Sequence, residues 1–458
     1  MEKSKSEPAA LPAGGAGAAP GNGMEKSKAA SATLGAHAGG TVIDDAALLA
    51  ARGVSAGAGC RGVFITAEVM AVESTSIRRS LYRANDSSMD KHAIALLAEV
   101  ESWTWPPTLR ILEKQGGNYK AIMLKLISYL IKESQLLGGT VLDQFWKQLE
   151  ECHPKFKEKV NNIRNAPSVL FDEAPAMLFE GVDRNDVDFE PIFKMAAEYF
   201  THLGIAFMNP GGPKSGGGTP HSVGDIVKME TDQLLSVAQE AGFGVRKQAA
   251  LKRLSFKRDG YSCVMTGVKF NEVHSGYKLH RGYNFNPSLS HIIPNSVHGK
   301  PDMLKCIAMF AGNEARDLVV QHSNAIGNVM NLQNDAHEAY NDLQWGIEAR
   351  NEDGMVKYVY RRVPLVLETG PASIILRDGD PIKFGLGTEG SCLGGGPLPL
   401  LCNLQLAVAR VLNMSGAAEV ISQWMEDADD SDFPQNFLFS NDFCDILDAK
   451  LLLKGICL

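Results

Sequence analysis

The sequence predicts a mixed α+β protein, in which a low-complexity head and an α-rich region precede a region that combines strands with helices. Three observations lead to this prediction. Residues 1–60 contain almost no large apolar side chains, residues 61–208 show helical periodicity, and residues 225–455 alternate between helical and β-type patterns. Because the 458 residues exceed the roughly 100–200 of one typical domain, at least two folded units are expected.

The head, residues 1–60, is rich in Ala, Gly, Ser and Pro. Such a segment cannot bury enough apolar surface to offset the entropy lost on ordering, so we expect it to be disordered. It lacks the apolar stretch of a secretory leader, and no apolar run in the chain approaches the roughly 20 residues needed to cross a bilayer. We therefore expect no membrane partner.

The cysteines suggest a compartment. Eight are present and none forms a CxxC pair. This pattern favours reduced thiols and an intracellular location, either nuclear or cytoplasmic.

Residues 61–208 are predicted to form an α-rich domain, and nothing in their sequence indicates its role. Ile122, Leu126 and Leu130 fall on one helical stripe, which ends at Gly138-Gly139. Further helices are predicted over 90–102, 141–151 and 190–205. The Gly- and Pro-rich residues 209–224 then predict a flexible linker to a second domain at 225–455.

The second domain begins with a basic helical stretch at 225–258. Strand-type residues at 345–363 flank Asp353-Gly354, which predicts a hairpin, and the apolar residues 400–412 predict a helix that buttresses the domain.

Charge is unevenly distributed along the chain. The net charge is -8, which by itself argues against a nucleic-acid partner, but residues 241–350 hold thirteen Lys/Arg against nine Asp/Glu, a local net of +4. The densest basic run consists of Arg246, Lys247, Lys252, Arg253, Lys257 and Arg258. Two interpretations of this run stay open: contact with a phosphate backbone, or a solvated helix face.

Three short segments together carry the chemistry. They are Arg258-Asp259-Gly260-Tyr261-Ser262-Cys263-Val264-Met265-Thr266-Gly267, then Leu289-Ser290-His291-Ile292-Ile293-Pro294, then the stretch from Asn328 to Asp342. In this order they resemble the HNH (ββα-metal) nuclease family, especially the HNH-type domains of fungal proteins of unassigned function. The resemblance covers about a quarter of the chain, from Arg246 to Tyr360.

The resemblance implies a ββα-metal fold with a C-terminal buttressing helix, and it implies a role for four residues. His291 matches the general base, and Asn328 matches the Asn that fixes the loop around the base. His337, nine residues after Asn328, matches the metal-binding His. Asn341 occupies the place of the second metal ligand on the helix. The interval between His291 and Asn328 is long for a compact site, and its apolar residues predict an inserted helix.

The chemistry of phosphodiester hydrolysis explains these residue types. Water is a poor nucleophile and the leaving oxygen develops charge, so a site supplies a base and a cation. A neutral imidazole at His291 can accept the proton of water near neutral pH. His337 and Asn341, four residues apart on a helix, can reach one divalent ion, Mg²⁺ or Mn²⁺. The expected partner is nucleic acid, DNA rather than RNA.

Two positions depart from the family pattern. Ser290 stands before the base, where a metal-binding acid or His is frequent, and Asn341 stands where the fungal branch has Asp. A neutral amide binds Mg²⁺ more weakly than a carboxylate does. Two alternatives to a nuclease therefore stay open: a non-catalytic HNH scaffold that binds nucleic acid or protein, and an interaction protein whose α-rich domain recruits partners.

Overall fold

The described part of the chain lies within one of the two units into which the chain divides, Cys60–Leu458. A computed structural model of the chain describes residues 88–103, 119–165, 170, 172–208, 225–240, 244–270, 286–297, 300–363 and 371–429. The head at 1–60, the linker at 209–224 and the chain beyond 429 lie outside the described residues. The expectations for those three segments stay predictions.

Between residues 88 and 208 the described residues form helices and no strand. The helices are α1 (Ser88–Glu101), α2 (Tyr119–Leu137), α3 (Val141–Glu151), α4 (Phe156–Asn165), α5 (Glu173–Phe179), α6 (Glu190–Tyr199) and α7 (Ala206–Met208), with a π-helical segment at Phe200–Ile205 between the last two. The prediction of an α-rich region is confirmed. The helices predicted over 90–102, 141–151 and 190–205 correspond to α1, α3 and α6 with its π-helical continuation.

Helix α2 shows why the periodic pattern was informative. Leu126, Ile127 and Leu130 are fully buried, as their spacing on one stripe requires. The helix is followed by Gly138, whose φ of +79° lies in the left-handed region that favours glycine after a helix.

From residue 225 the described chain mixes helices with strands, and the α+β class is confirmed. The elements are α8 (Thr231–Gln239), α9 (Val245–Asp259), β1 (Ser288–His291), α10 (Pro301–His322), β2 (Val329–Leu332), α11 (Asn334–Asn341), β3 (Trp345–Glu352), β4 (Met355–Arg362), β5 (Pro381–Ile382), α12 (Pro399–Ser415) and α13 (Ala417–Asp429). The predicted inserted helix is α10, which is kinked at Gly312, where φ is +86°.

Strands β1 and β2 form a small antiparallel sheet that α11 follows directly. Their register pairs Ser288 with Leu332 at one end and His291 with Val329 at the other. All four residues of β2 are buried, so this strand lies inside the molecule. In the ββα unit, defined here as β1, β2 and α11, strand β2 is therefore fully buried.

A second sheet has the strand order β3-β4-β5. Asp353 and Gly354 connect β3 to β4 with φ values of +54° and +81°, as a two-residue hairpin of type I′ requires at both positions. The predicted hairpin is therefore confirmed, and its register pairs Trp345 with Arg362.

Helix α12 packs against β3 and buttresses this sheet. At Gly346 the two backbones approach so closely that an added Cβ would lie 3.1 Å from the Cα of Leu406. The side chain of Asn403 accepts a hydrogen bond from the Ala349 amide at 2.8 Å and donates one to the Ala349 carbonyl at 3.0 Å. The helix predicted at 400–412 is thus present, and it ends at Gly416, where φ is +83°.

The hydrophobic core runs without interruption from the α-rich region into the region after residue 225. Helix α12 packs against α2 as well as against β3. The amide of Thr140, before α3, donates to the carbonyl of Met309 in α10 at 2.7 Å. The proposed division into domains at 209–224 stays a prediction. One hydrophobic cluster includes described residues from both sides of it, and a second, smaller cluster joins α8 and α9 to Val329 of β2. Within the described part of the chain, no helix combines the length and apolarity needed to cross a membrane.

Candidate functional site

The backbone around the site is fixed by a buried ion pair at the end of α9. Arg258 is fully buried and pairs with the carboxylate of Asp259, with Nη2 and Oδ2 2.7 Å apart. Its guanidinium also donates to the carbonyls of Ile326 at 2.6 Å and Val329 at 2.8 Å. Because the fixed fork of a guanidinium satisfies several acceptors at once, Arg258 holds the turn that enters β2.

Half of the basic run is engaged inside the molecule. Besides Arg258, Lys257 pairs with Glu389, and the buried Lys247 donates to the carbonyl of Glu240. For these three residues neither the phosphate-binding interpretation nor the solvated-face interpretation describes the main role. Arg246 pairs with Asp225 at the surface, as the solvated-face interpretation expects. Three residues of the run, Lys247, Lys252 and Arg253, have no carboxylate partner among the described residues.

The cysteine and Thr-Gly positions of the first motif form a tight turn. The amide of Gly267, whose φ is +69°, donates to the carbonyl of Cys263 at 2.8 Å, and the amide of Cys263 donates to the carbonyl of Val268 at 2.8 Å. The buried Cys263 thiol then accepts a hydrogen bond from the amide of Gln333 at 3.4 Å. The turn therefore holds the start of α11.

Asn328 fixes the backbone immediately after His291. Its carbonyl accepts from the Ile292 amide at 2.8 Å, and its side-chain Oδ1 accepts from the Ile293 amide at 2.8 Å. Its Nδ2 donates to the carbonyls of Ile293 and Ser323, each at 3.0 Å. The buried side-chain amide of Asn328 thus uses its donor and its acceptor together. These hydrogen bonds fix the conformation of the loop after His291.

Helix α11 is fastened to β1 near both of its ends. Ser288 Oγ lies 2.6 Å from Oδ1 of Asn334, and the Tyr340 hydroxyl donates to the carbonyl of Ile292 at 3.4 Å. His337 lies between these two contacts, half-buried.

The structure brings His291 and His337 together. Burial lowers the pKa of His291 to about 4, and the second cause is the charge of His337. Burial also lowers the pKa of His337, with the charge of Lys252 as the second cause. Three groups from three elements, α9, β1 and α11, therefore share one electrostatic neighbourhood. Both imidazoles are neutral at pH 7, the form in which imidazole accepts a proton or binds a metal.

Asn341 on α11 and Ser290 on β1 differ in their solvent exposure. Asn341 is the last residue of α11, one turn beyond His337 and half-buried, and among the described side chains none forms a hydrogen bond with its amide. Ser290 is fully buried on the face of β1 opposite to His291, because successive side chains of a strand alternate. Its Oγ has no hydrogen-bond partner among the described residues.

Two neighbours of the site were not among the predicted site residues. Asn295 Nδ2 lies 3.4 Å from Nε2 of His291, so this amide bears on which ring nitrogen carries the proton. Lys252 is the other, because the sequence offered it only as one of six basic residues. The contact of Asn295 joins residues four apart, in the turn whose backbone Asn328 holds. The contact of Lys252 depends on how α9 packs against the start of β1. The sequence spacing predicts neither contact.

The implied metal ion would find few protein ligands at this site. In the part of the chain that the structure describes, no group of three or more His, Cys, Asp or Glu could hold a metal ion. The donors that the motif implies are the His337 imidazole and the Asn341 amide. Two neutral donors fit a weakly held ion that takes most of its ligands from water and phosphate oxygens, as Mg²⁺ does when it binds with a substrate.

Comparison with known proteins adds no further assignment. No family model, curated protein or solved structure matches the chain. The roles of His291, Asn328, His337 and Asn341 stay predictions from the motif, with the geometry described above.

Proposed function

We propose that this protein hydrolyses nucleic-acid phosphodiester bonds, in DNA rather than RNA, at an HNH-type site with His291 as general base. One observation carries the proposal: the neutral imidazole of His291 ends β1 close enough to the His337 imidazole on α11 for its pKa to be affected, and Asn328 hydrogen-bonds the backbone just after His291. A general base must be held within hydrogen-bonding distance of the water molecule that it activates, because the proton passes directly between them.

His291 takes the proton of the attacking water in this mechanism. Its imidazole is neutral at physiological pH because burial lowers its pKa. Asn295 restrains the ring through Nε2, and Asn328 prevents the backbone after His291 from shifting. The oxygen of water then attacks phosphorus, the bond to the leaving oxygen breaks, and that oxygen acquires a proton from solvent.

His337 and Asn341 would hold one divalent ion, Mg²⁺ or Mn²⁺. When bound, such an ion stabilises negative charge on the phosphate and on the leaving oxygen. The residues of this chain supply two of its ligands from adjacent turns of α11, four residues apart on one helix face.

The test is cleavage of plasmid and single-stranded DNA by His291→Ala in Mg²⁺ or Mn²⁺. Loss of a general base typically removes a factor of about 10²–10⁴ in rate, and we expect a loss of this size. The matched control is His153→Ala, which makes the same change in the α-rich region, and it should cleave like the wild type. Unchanged cleavage by His291→Ala would remove His291 from the mechanism.

A second candidate function is a non-catalytic scaffold that binds nucleic acid. The observation that favours it is the donor set on α11, which contains no carboxylate. Asn341→Asp distinguishes the two functions, because an anionic ligand raises the affinity for a divalent ion and should increase cleavage. A wild type and an Asn341→Asp variant that both bind DNA without cleaving it, in either metal, would establish the scaffold instead.

A further inference from the structure

The side chain of Lys252 lies beside the candidate site, although it belongs to a helix from which the motif takes no site residue. Its Nζ donates to the carbonyl of Pro287 at 3.0 Å, which places the ammonium group at the start of β1. Its own carbonyl accepts from Asn331 Nδ2 at 3.0 Å, which ties the same residue to β2. Lys252 is therefore held from both ends against the ββα unit.

The position of this cation relative to α11 follows from the next residue of β1. Ser288, directly after Pro287, contacts Asn334 in the first turn of α11 through side-chain oxygens 2.6 Å apart. His337 is one turn further along that helix. The charge of Lys252 acts on His337, as expected for neighbours across this contact.

Lys252 lacks the partner that a half-buried lysine ordinarily has. In the described ranges no carboxylate pairs with it, and its described hydrogen bond is to a neutral carbonyl. An ammonium group has three donors. The other two have no partner in the part of the chain that the structure describes, and burial without a counterion favours an anionic ligand for them.

The remaining members of the site point to the same ligand chemistry. The side chains are two imidazoles, two amides and one ammonium group: His291, His337, Asn295, Asn341 and Lys252. Among these five side chains Lys252 is the one cation, and none is a carboxylate. The carboxylates nearest in sequence are Glu338 and Asp342, which flank His337 and Asn341. The ammonium group and the amides suit the oxygens of a phosphate.

We propose that Lys252 is a phosphate-binding residue of this site, where its ammonium group contacts a non-bridging oxygen of the nucleic-acid backbone beside His337. The inference rests on the proposed function and names how that site recognises its substrate. Lys252 transfers no proton in this role. A phosphate held by Lys252 would supply oxygen ligands to a divalent ion held by His337 and Asn341, in place of the missing carboxylate.

The experiment measures binding of a short fluorescent DNA duplex to the full-length protein in EDTA, across a salt series from about 50 to 200 mM. We expect Lys252→Gln to weaken binding roughly tenfold, as loss of a charge-assisted hydrogen bond does. We also expect it to lower the slope of log affinity against log salt by about one, the signature of one lost phosphate contact. Lys252→Arg, which keeps the charge, should restore most of the slope.

The matched control is Arg246→Gln, which removes one positive charge from the same helix at an exposed pair with Asp225. A long-range charge effect would weaken both variants equally, whereas a direct contact affects only Lys252→Gln. If the Gln variant does not fold, Lys252→Met retains the apolar stem and serves in its place.

Equal binding and equal salt slopes for the Lys252 and Arg246 variants, with an active wild type, would overturn this inference and leave the proposed function standing. A wild type that neither binds nor cleaves DNA would overturn the proposed function, and this inference with it.

Discussion

Buried polar residues define the site at the scale of single side chains. Arg258, Asp259 and Asn328 are each nearly inaccessible, and each satisfies backbone groups of segments distant in sequence. A buried polar group left without hydrogen-bond partners destabilises the native state. These three side chains therefore favour the one backbone conformation that supplies their partners. The geometry around His291 is therefore specified by residues that do not touch substrate.

The motif positions could be proposed from sequence because part of their spacing is local. The interval of nine from Asn328 to His337 spans one strand and the start of one helix, as the structure has them. The contacts of Lys252 with Pro287 and of Asn295 with His291 could not be identified in this way. The first depends on how α9 packs against β1, and the second on the turn that Asn328 holds.

Burial of the His291 imidazole affects the stability of the protein in acid. The pKa of His291 is about 4 in the folded protein against 6.5 for an ordinary histidine. Between these values the unfolded chain binds a proton that the folded protein does not, so the free energy of unfolding falls as pH decreases from 6.5 towards 4. The fall attributable to one such group is at most about 1.4 kcal/mol per pH unit.

Urea unfolding at pH 7, 6 and 5 measures this effect, with His291→Gln as the comparison. The variant should lose less stability than the wild type over this range, because carboxylates titrate equally in both proteins. Parallel curves for the two proteins would mean that the imidazole is freely solvated in the native state.

At the scale of elements, the tightest contact is between β3 and α12. Sequence predicted both elements, since the Asp353-Gly354 turn and the apolar run after Pro399 are local signals. It did not predict that they cross at Gly346, because a glycine in a strand does not by itself identify the backbone that approaches it.

Gly346→Ala should destabilise the fold by about 1–3 kcal/mol, the usual cost of overpacking a core. The added Cβ would lie 2.7 Å from Oε1 of the buried Gln405 and 3.1 Å from the Cα of Leu406, and the backbone atom cannot move without shifting the helix. Chemical denaturation measures the change. Gly244→Ala, where an added Cβ meets nothing within 4 Å, is the control and should change stability by less than about 1 kcal/mol. Equal effects of the two substitutions would show that β3 and α12 are less closely packed.

At the scale of the whole molecule, the α-rich region and the ββα unit are linked by one core. Sequence predicted a division at residues 209–224 because Gly and Pro are concentrated there. The composition of a segment predicts only local properties of the chain. The packing of α12 on α2 joins residues about 280 apart, and no local sequence pattern indicates it.

A chain cut within 209–224 should therefore stay associated. A specific protease site inserted at Gly216-Gly217-Gly218 allows the cut to be made in the folded protein. We expect the two fragments to co-elute in size-exclusion chromatography and to unfold in one transition, because separating them would expose the shared core. Fragments that elute separately, each with its own transition, would instead establish two independent domains.

The side chain of Asn403 has a consequence for how copies of this protein behave at high concentration. Strand β3 is an outer strand of its sheet, and the exposed amides and carbonyls of such strands invite strands of other molecules to add. At Ala349, in the middle of β3, Asn403 occupies both the donor and the acceptor in the way that an added strand would. One helix side chain thus caps the sheet edge, and it protects the molecule against edge-to-edge aggregation.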